Sequence, residues 1–163
     1  MYLYLVAPFL KNRQYASALA LIESRIVEYG IAGKIVQLSQ FLKFPSAVRE
    51  FGTKRLSTLV LIGNDALLEE AVDSFALTPV VLGFIPVGKS QIAPALGIPL
   101  GEAACNTIAA RRIAKLDLGK IENHSFLSAV RLEGAGLELH CPTFSIFPKG
   151  QAVIEVINAG VGA

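Results

Sequence analysis

The stretch from Thr58 to Glu70, Thr-Leu-Val-Leu-Ile-Gly-Asn-Asp-Ala-Leu-Leu-Glu-Glu, restricts the fold more than any other part of the chain. Thr58 to Ile62 is an unbroken run of apolar and β-branched residues, which reads as a strand buried on both faces. Gly63-Asn64-Asp65 is a tight turn, and a helical pattern begins at Ala66 with Leu67, Leu68, Ala71, Val72 and Phe75 as its apolar face. In an open parallel sheet the crevice beyond the carboxyl end of such a strand is where ligands bind. A helix N-terminus there offers unpaired N–H groups to an anion, and Asp65 is expected to serve as the N-cap.

The neighbouring segments repeat this strand-then-helix pattern. Tyr2 to Ala7 is an apolar strand that ends at Pro8. Tyr15, Ala18, Leu19, Ile22, Ile26 and Tyr29 recur at three- and four-residue steps. They predict an amphipathic helix from about Asn12, a candidate N-cap, to Gly30. Ala32 to Leu38 is a second strand. Pro45 suits the first turn of a short helix that carries Val48 and Phe51 before Gly52. Val80 to Pro86 is another apolar strand. It runs into the loop Val87-Gly88-Lys89-Ser90, a short helix to Leu96, a stop at Gly97-Ile98-Pro99 and a helix over Glu102 to Arg112. Alternation of this kind signals a parallel sheet covered on both faces.

Beyond that point helices cease. Lys115–Ile121, His124–Val130, Leu137–Cys141, Phe144–Phe147 and Ala152–Ile157 are strand-like. Glu122-Asn123, Gly134-Ala135-Gly136 and Pro148-Lys149-Gly150 read as turns between them. The expected class is therefore α/β: a Rossmann-like parallel sheet with helices on both faces over residues 1–114. A small antiparallel part over 115–163 follows it, as a partial or reduced β-rich second domain.

Composition narrows the partners. Apolar residues make up 53% of the 163 and charged residues 17%, with a mean hydropathy of +0.53. Disorder is excluded, and the apolar surplus calls for a generous core, a homo-oligomeric or other protein contact, or a missing piece of second domain. The longest uncharged run, Ser74 to Gly88, is interrupted by Pro79 and Pro86, so no transmembrane segment is expected. Met1 to Ala7 has no basic lead-in and is not read as a signal peptide, which leaves a cytoplasmic location. A net charge of +2, with basic clusters only at Lys54-Arg55 and Arg111-Arg112-Lys115, argues against nucleic acid. Arg111-Arg112-Lys115 reads as helix-end charge, with peripheral contact to an anionic lipid surface as the alternative. Cys105 and Cys141 have neither zinc nor disulfide spacing and read as buried small hydrophobes. His124 and His140 read as ordinary strand residues, and no metal site is expected.

Three segments resemble one known family. Gly63, Asn64, Asp65, Ala66, Leu67, Leu68, Glu69 and Glu70 are similar to the Gly-Gly-Asp-Gly-Thr-Leu-x-Glu signature of the diacylglycerol kinase catalytic domain. That family includes bacterial lipid kinases and sphingosine kinases and shares its fold with NAD kinases. Leu82-Gly83-Phe84-Ile85-Pro86-Val87-Gly88, with Ala95-Leu96-Gly97-Ile98-Pro99, resembles the family's Gly-x-Ile-Pro-x-Gly-Thr-x-Asn-Asp and Leu-Gly-Ile-Pro segments. Leu116-Asp117-Leu118-Gly119-Lys120-Ile121 with Phe126-Leu127 resembles the opening of its β-rich second domain, and Asn158-Ala159-Gly160 a later strand end.

The resemblance implies an ATP-dependent phosphotransferase acting on a lipid hydroxyl. ATP and Mg²⁺ would be its cofactors, and Gly63, Asn64, Asp65, Gly88, Lys89 and Ser90 would lie at the nucleotide. Gly63, Asp65, Glu70, Pro86 and Gly88 match the family pattern. The second glycine is replaced by Asn64, the third by Ala66 and the threonine by Leu67. Gly88-Lys89-Ser90-Gln91 lacks the Asn-Asp pair, and the first strand ends Ala7-Pro8 instead of Asn-Pro. A β-carbon at 66 and an isobutyl group at 67 crowd a phosphate and remove a hydroxyl donor. No residue stands out as the general base. Two functions follow: a nucleotide-binding domain of a lipid kinase, or a non-catalytic relative that binds a partner or ligand through the same cleft.

Overall fold

Four strands, β1 (Tyr2–Val6), β2 (Lys34–Gln37), β3 (Thr58–Gly63) and β4 (Val81–Pro86), pair in parallel in the order β2-β1-β3-β4. They belong to a computed structural model that describes residues 1–51, 56–76 and 78–158. The two central strands are the most apolar, as burial on both faces requires: every residue of β3 is buried, and Leu3, Tyr4, Leu5, Leu59, Val60 and Leu61 are wholly inaccessible. Thr58 is the buried polar residue of this core, and its hydroxyl accepts a hydrogen bond from the Arg111 guanidinium at 2.7 Å.

The helices α1 (Ala16–Glu28), α2 (Phe44–Phe51), α3 (Asp65–Phe75), α4 (Ile92–Ala95) and α5 (Ala104–Ala109) flank the sheet. The β1–β2 connection crosses the sheet in one direction and the β2–β3 and β3–β4 connections in the other, so the right-handed crossover rule assigns α1 to one face and α2 with α3 to the other. α1 packs with α5, while α2 and α3 meet where the Phe44 and Phe75 rings touch edge to face, 6.2 Å between centres. The α/β architecture expected from the alternating pattern is thus present.

Boundaries shift for local reasons. Asn12 caps a 3₁₀ turn, Arg13–Tyr15, by accepting from the Gln14 amide, and the α-helix proper starts at Ala16. Of its expected stripe Ile22 and Ile26 are buried, and Tyr29 at the C-cap is exposed. Gly30 ends α1 as expected: at φ +66° its amide bonds to Val27 O and the Ile31 amide to Ile26 O, the paired bonds of a Schellman cap. In α2 the buried residues are Phe44 and Ala47, with Val48 and Phe51 half-buried. The stop at Gly52, the Lys54-Arg55 pair and the Ala159-Gly160 strand end lie outside the described residues. No described helix is long and apolar enough to cross a membrane.

Residues 1–116 and 117–163 form two compact units. The second is built from antiparallel pairs: β5 (Gly119–Ile121) with β6 (His124–Phe126), β7 (Ala129–Ala135) with β10 (Gln151–Ile157), and β8 (Leu139–His140) with β9 (Ser145–Ile146). The hairpin at Glu122-Asn123 is where it was expected, with Glu122 at φ +51°. The expected strand over 124–130 is two strands in different sheets, parted at Leu127-Ser128. There Asn158 ties the chain down, its amide on Ser128 O and its side chain on Leu127 O and Asp117 O. β7 then runs through Gly134 and Ala135, where Gly134-Ala135-Gly136 predicts a turn. Reversal comes at Gly136, φ +69°.

Two tests follow from the core. A β-carbon on Gly63 would lie 2.7 Å from the Ala7 β-carbon, so Gly63→Ala is expected to cost about 1–3 kcal/mol of unfolding free energy in urea. Adding Ala7→Gly is expected to recover much of that clash, as a double-mutant cycle reads out. Tyr4 donates its buried hydroxyl to Ile31 O, and burial lifts its pKa well above the tyrosine range. An acid held neutral in the folded state stabilises below its unfolded pKa and loses that contribution as pH rises past it. Stability is therefore expected to fall above about pH 10, with a shallower fall in Tyr4→Phe. That variant also loses about 1–3 kcal/mol near neutrality from the unpaired carbonyl.

Candidate functional site

Because all four strands of the first unit run the same way, the loops that follow β3 and β4 emerge side by side. Gly63 is level with Pro86 in the sheet, and the Val87 amide bonds to Gly63 O at 2.8 Å. The two loops then diverge around a cleft of about 660 Å³ lined by Asn64, Asp65, Ala66, Gly88, Lys89, Ser90, Gln91 and Leu100. Gly88 sits at φ +89°, a backbone conformation that a side chain disfavours, and this turns the chain from β4 into the second loop.

The cap of α3 is Asn64, whose side-chain oxygen accepts from the Leu67 amide at 3.3 Å. This corrects the expectation that Asp65 caps this helix from a start at Ala66. Asp65 is instead its first residue, which frees the carboxylate to reach the other loop. There Oδ1 accepts from the Ser90 hydroxyl at 2.5 Å, and Oδ2 accepts from the amides of Gln91 at 2.7 Å and Ile92 at 3.3 Å. Ser90 Oγ in turn accepts from the Ala93 amide at 2.9 Å. One carboxylate thus satisfies the first donors of α4 from a position 25 or more residues away in sequence. An acidic residue in the first turn of α3 also suits the positive end of that helix.

Of the six residues singled out beforehand, Asn64, Asp65, Gly88, Lys89 and Ser90 line the cleft. Gly63 does not. Its missing β-carbon makes room for Ala7 and for Leu67, so its role here is packing between β1 and α3. Glu70 is exposed on α3, and its carbonyl accepts from Ser74 Oγ. Lys89 is exposed at the lip, and Asp117 is exposed with its carbonyl held by Asn158. The Gln91 and Ile92 amides and Leu100 were missed. Ser90 three residues ahead of Ala93, an ordinary capping spacing, is the signal that could have found the first two. Gln37 was also missed: its side-chain amide donates to Val6 O, Ala7 O and Leu38 O and fixes the carboxyl end of β1.

A magnesium–nucleotide at these loops needs a carboxylate free to meet the metal and room and donors for phosphate oxygens. A carboxylate has about four lone-pair positions, and three hydrogen bonds already converge on Asp65. The Leu67 side chain is buried against Gly63, where the resemblance implies a hydroxyl. The Ala66 methyl lines the cleft. Among the described residues no three His, Cys, Asp or Glu side chains come together as a metal site. These groups do not fit Mg²⁺ and a polyphosphate in the way the resemblance implies.

Elsewhere, Cys105 is buried, and burial pushes its thiol up to about 11. Cys141 is half-buried, against the expectation of a core residue. His140 lies 3.0 Å from Ser145 Oγ and 3.5 Å from Glu138, all exposed to water, where such pairing is weak.

Solved structures with this fold are diacylglycerol kinases by description. Two of "a putative diacylglycerol kinase" from Bacillus anthracis str. Sterne superpose on 80% of the chain at 19% identity. Their TM-scores are 0.66 and 0.68, and the match covers 48% and 44% of their own lengths. A third, of diacylglycerol kinases from the same organism, covers 78% of the chain and 45% of its own at 18% identity and TM-score 0.66. The chain has their fold and spans less than half their length. No family model and no curated protein sequence matches it.

If the carboxylate clasps the two loops, Asp65→Ala and Ser90→Ala will each destabilise by about 1–2 kcal/mol. The pair is expected to be non-additive by at least about 0.5 kcal/mol, because the two groups share one network. Chemical denaturation of the four proteins measures this.

Proposed function

We propose that this chain is a diacylglycerol-kinase-fold domain that keeps the strand-end cleft as a binding site and does not transfer phosphate. On this reading residues 1–114 are the nucleotide-binding-like domain and 115–163 a partial β-rich second domain, and the protein works in the cytoplasm. The cleft, with Asn64, Asp65, Gly88, Lys89 and Ser90 around it, receives a small polar ligand or a partner segment. The observation that carries the reading is the Asp65 carboxylate, committed to Ser90, Gln91 and Ile92. Phosphoryl transfer needs the nucleotide positioned, its charge neutralised by a metal and its acceptor hydroxyl deprotonated. In the cleft the first of these has partial support from the loop geometry, and the other two have none from its side chains.

A second reading, an ATP- and Mg²⁺-dependent kinase acting on a diacylglycerol or related lipid, has one observation in its favour. Five of the six residues that the resemblance implies at the nucleotide share one cleft, on a fold common to structures described as diacylglycerol kinases. Self-association or contact with further β structure through the apolar residues of the second unit is compatible with either reading.

Calorimetric titration with ATP and Mg²⁺ separates the two. The expected outcome is no binding heat at millimolar nucleotide and no ADP formed with diacylglycerol in mixed micelles. Saturable nucleotide binding accompanied by diacylglycerol-dependent ADP formation would overturn the non-catalytic reading in favour of the kinase.

A further inference from the structure

β4 ends one side of the sheet, and its far edge is open. The Val81 and Val87 amides bond to Ser57 O and Gly63 O, so Val81, Gly83 and Ile85 turn their backbone groups toward β3. The residues between them point the other way, as alternate residues of a strand do. Leu82 and Phe84 therefore present their N–H and C=O groups outward. Among the described residues no strand lies there, and no hydrogen bond reaches these groups. The helices α3 and α5 pack on the faces of β4 and leave its edge to solvent.

The opposite edge of the sheet is guarded. β2 begins with Lys34, which is exposed and holds its ammonium 3.9 Å from the centre of the Phe51 ring. A lysine on an edge strand discourages another chain from pairing there. β4 carries no such guard: no charged residue occurs from Ser74 to Gly88. Val81, Leu82 and Gly83 are only half-buried. An apolar edge with free amides and no charge is a template for a further strand.

We propose that this edge joins a second copy of the chain, β4 against β4 in antiparallel register about a two-fold axis. β4 begins at Val81, and Pro86, at the next outward position, has no amide to give. The usable edge is thus Val81 to Ile85, and its centre is Gly83. Centred there, Leu82 of one copy lies opposite Phe84 of the other and exchanges both hydrogen bonds with it. Gly83 meets Gly83 on the axis, a pair whose Cα atoms approach to about 4.5 Å, and neither has a side chain to accommodate. Val81 lies opposite Ile85, so every pair is apolar or glycine and no like charges meet. Such a contact is self-complementary and closes at two copies. The two clefts open at opposite ends of the joined sheet, so the pairing holds on either reading of what the cleft does.

Sedimentation equilibrium at micromolar concentration is expected to give twice the chain mass of 17.4 kDa. Leu82→Pro removes an outward donor and leaves the bonds to β3 in place, as a proline on an edge strand can. It is expected to weaken the dimer at least about tenfold, with circular dichroism checking that the variant is folded. Amide hydrogen exchange reads the same contact without a substitution. The Gly83 and Ile85 amides are expected to be protected at every concentration, and the Leu82 and Phe84 amides only where the dimer is populated. A monomer throughout the micromolar range would overturn the proposal, as would a dimer whose Leu82 and Phe84 amides exchange as fast as in the diluted chain. So would assembly that continues past two copies, or a folded Leu82→Pro chain that dimerises like the native one.

Discussion

Asp65 makes one loop answer for the hydrogen bonds of another. Two strands of a parallel sheet end side by side, and the chain leaving each must begin a helix whose first amides have no partner of their own. The first loop solves this locally with Asn64. The second borrows the Asp65 carboxylate for Gln91 and Ile92 and for the Ser90 hydroxyl. The borrowing works because Gly63 lets Ala7 close in on β3 and because Gly88 turns the chain out of β4. The cleft is the space left between the joined loops, so its shape depends on a contact that also occupies the carboxylate lining it.

That arrangement explains why site geometry and site chemistry separate in this molecule. The fold is that of structures described as diacylglycerol kinases, and it rests on four parallel strands with their crossover helices. A fold supplies a place for a ligand and does not by itself supply the reaction. Here Leu67 contributes to packing and Ala66 puts a methyl group at the mouth. Both stabilise a helix without helping to hold a phosphate.

The sheet was legible in the sequence because its central strands, Thr58 apart, are short apolar runs rich in aromatic and β-branched residues and bounded by turn signals, as burial on both faces requires. The stop of α1 at Gly30 was legible for a local reason, the left-handed conformation that glycine takes at no steric cost. The cap of α3 was misassigned by one residue because Asn and Asp are equally good caps in isolation. What decided between them was Ser90, far away in sequence. β7 was missed beyond Val130 because Arg131, Glu133 and Gly134 dilute its apolar residues. Its pairing with β10, where Val130 meets Val156 and Leu132 meets Ile154, supplies what its own sequence lacks. Gln37 carried no signal, since its role appears only when β1 and β2 lie together.

On the proposed reading the Asp65 carboxylate is a structural clasp and not a ligand for nucleotide. Two-dimensional amide NMR of the isotopically labelled chain tests it at the atoms concerned. The Gln91 and Ile92 amides are expected to exchange slowly with solvent, and neither signal is expected to move on adding Mg²⁺ and millimolar ATP. Rapid exchange of both amides, or saturable movement of either signal with nucleotide, would contradict it.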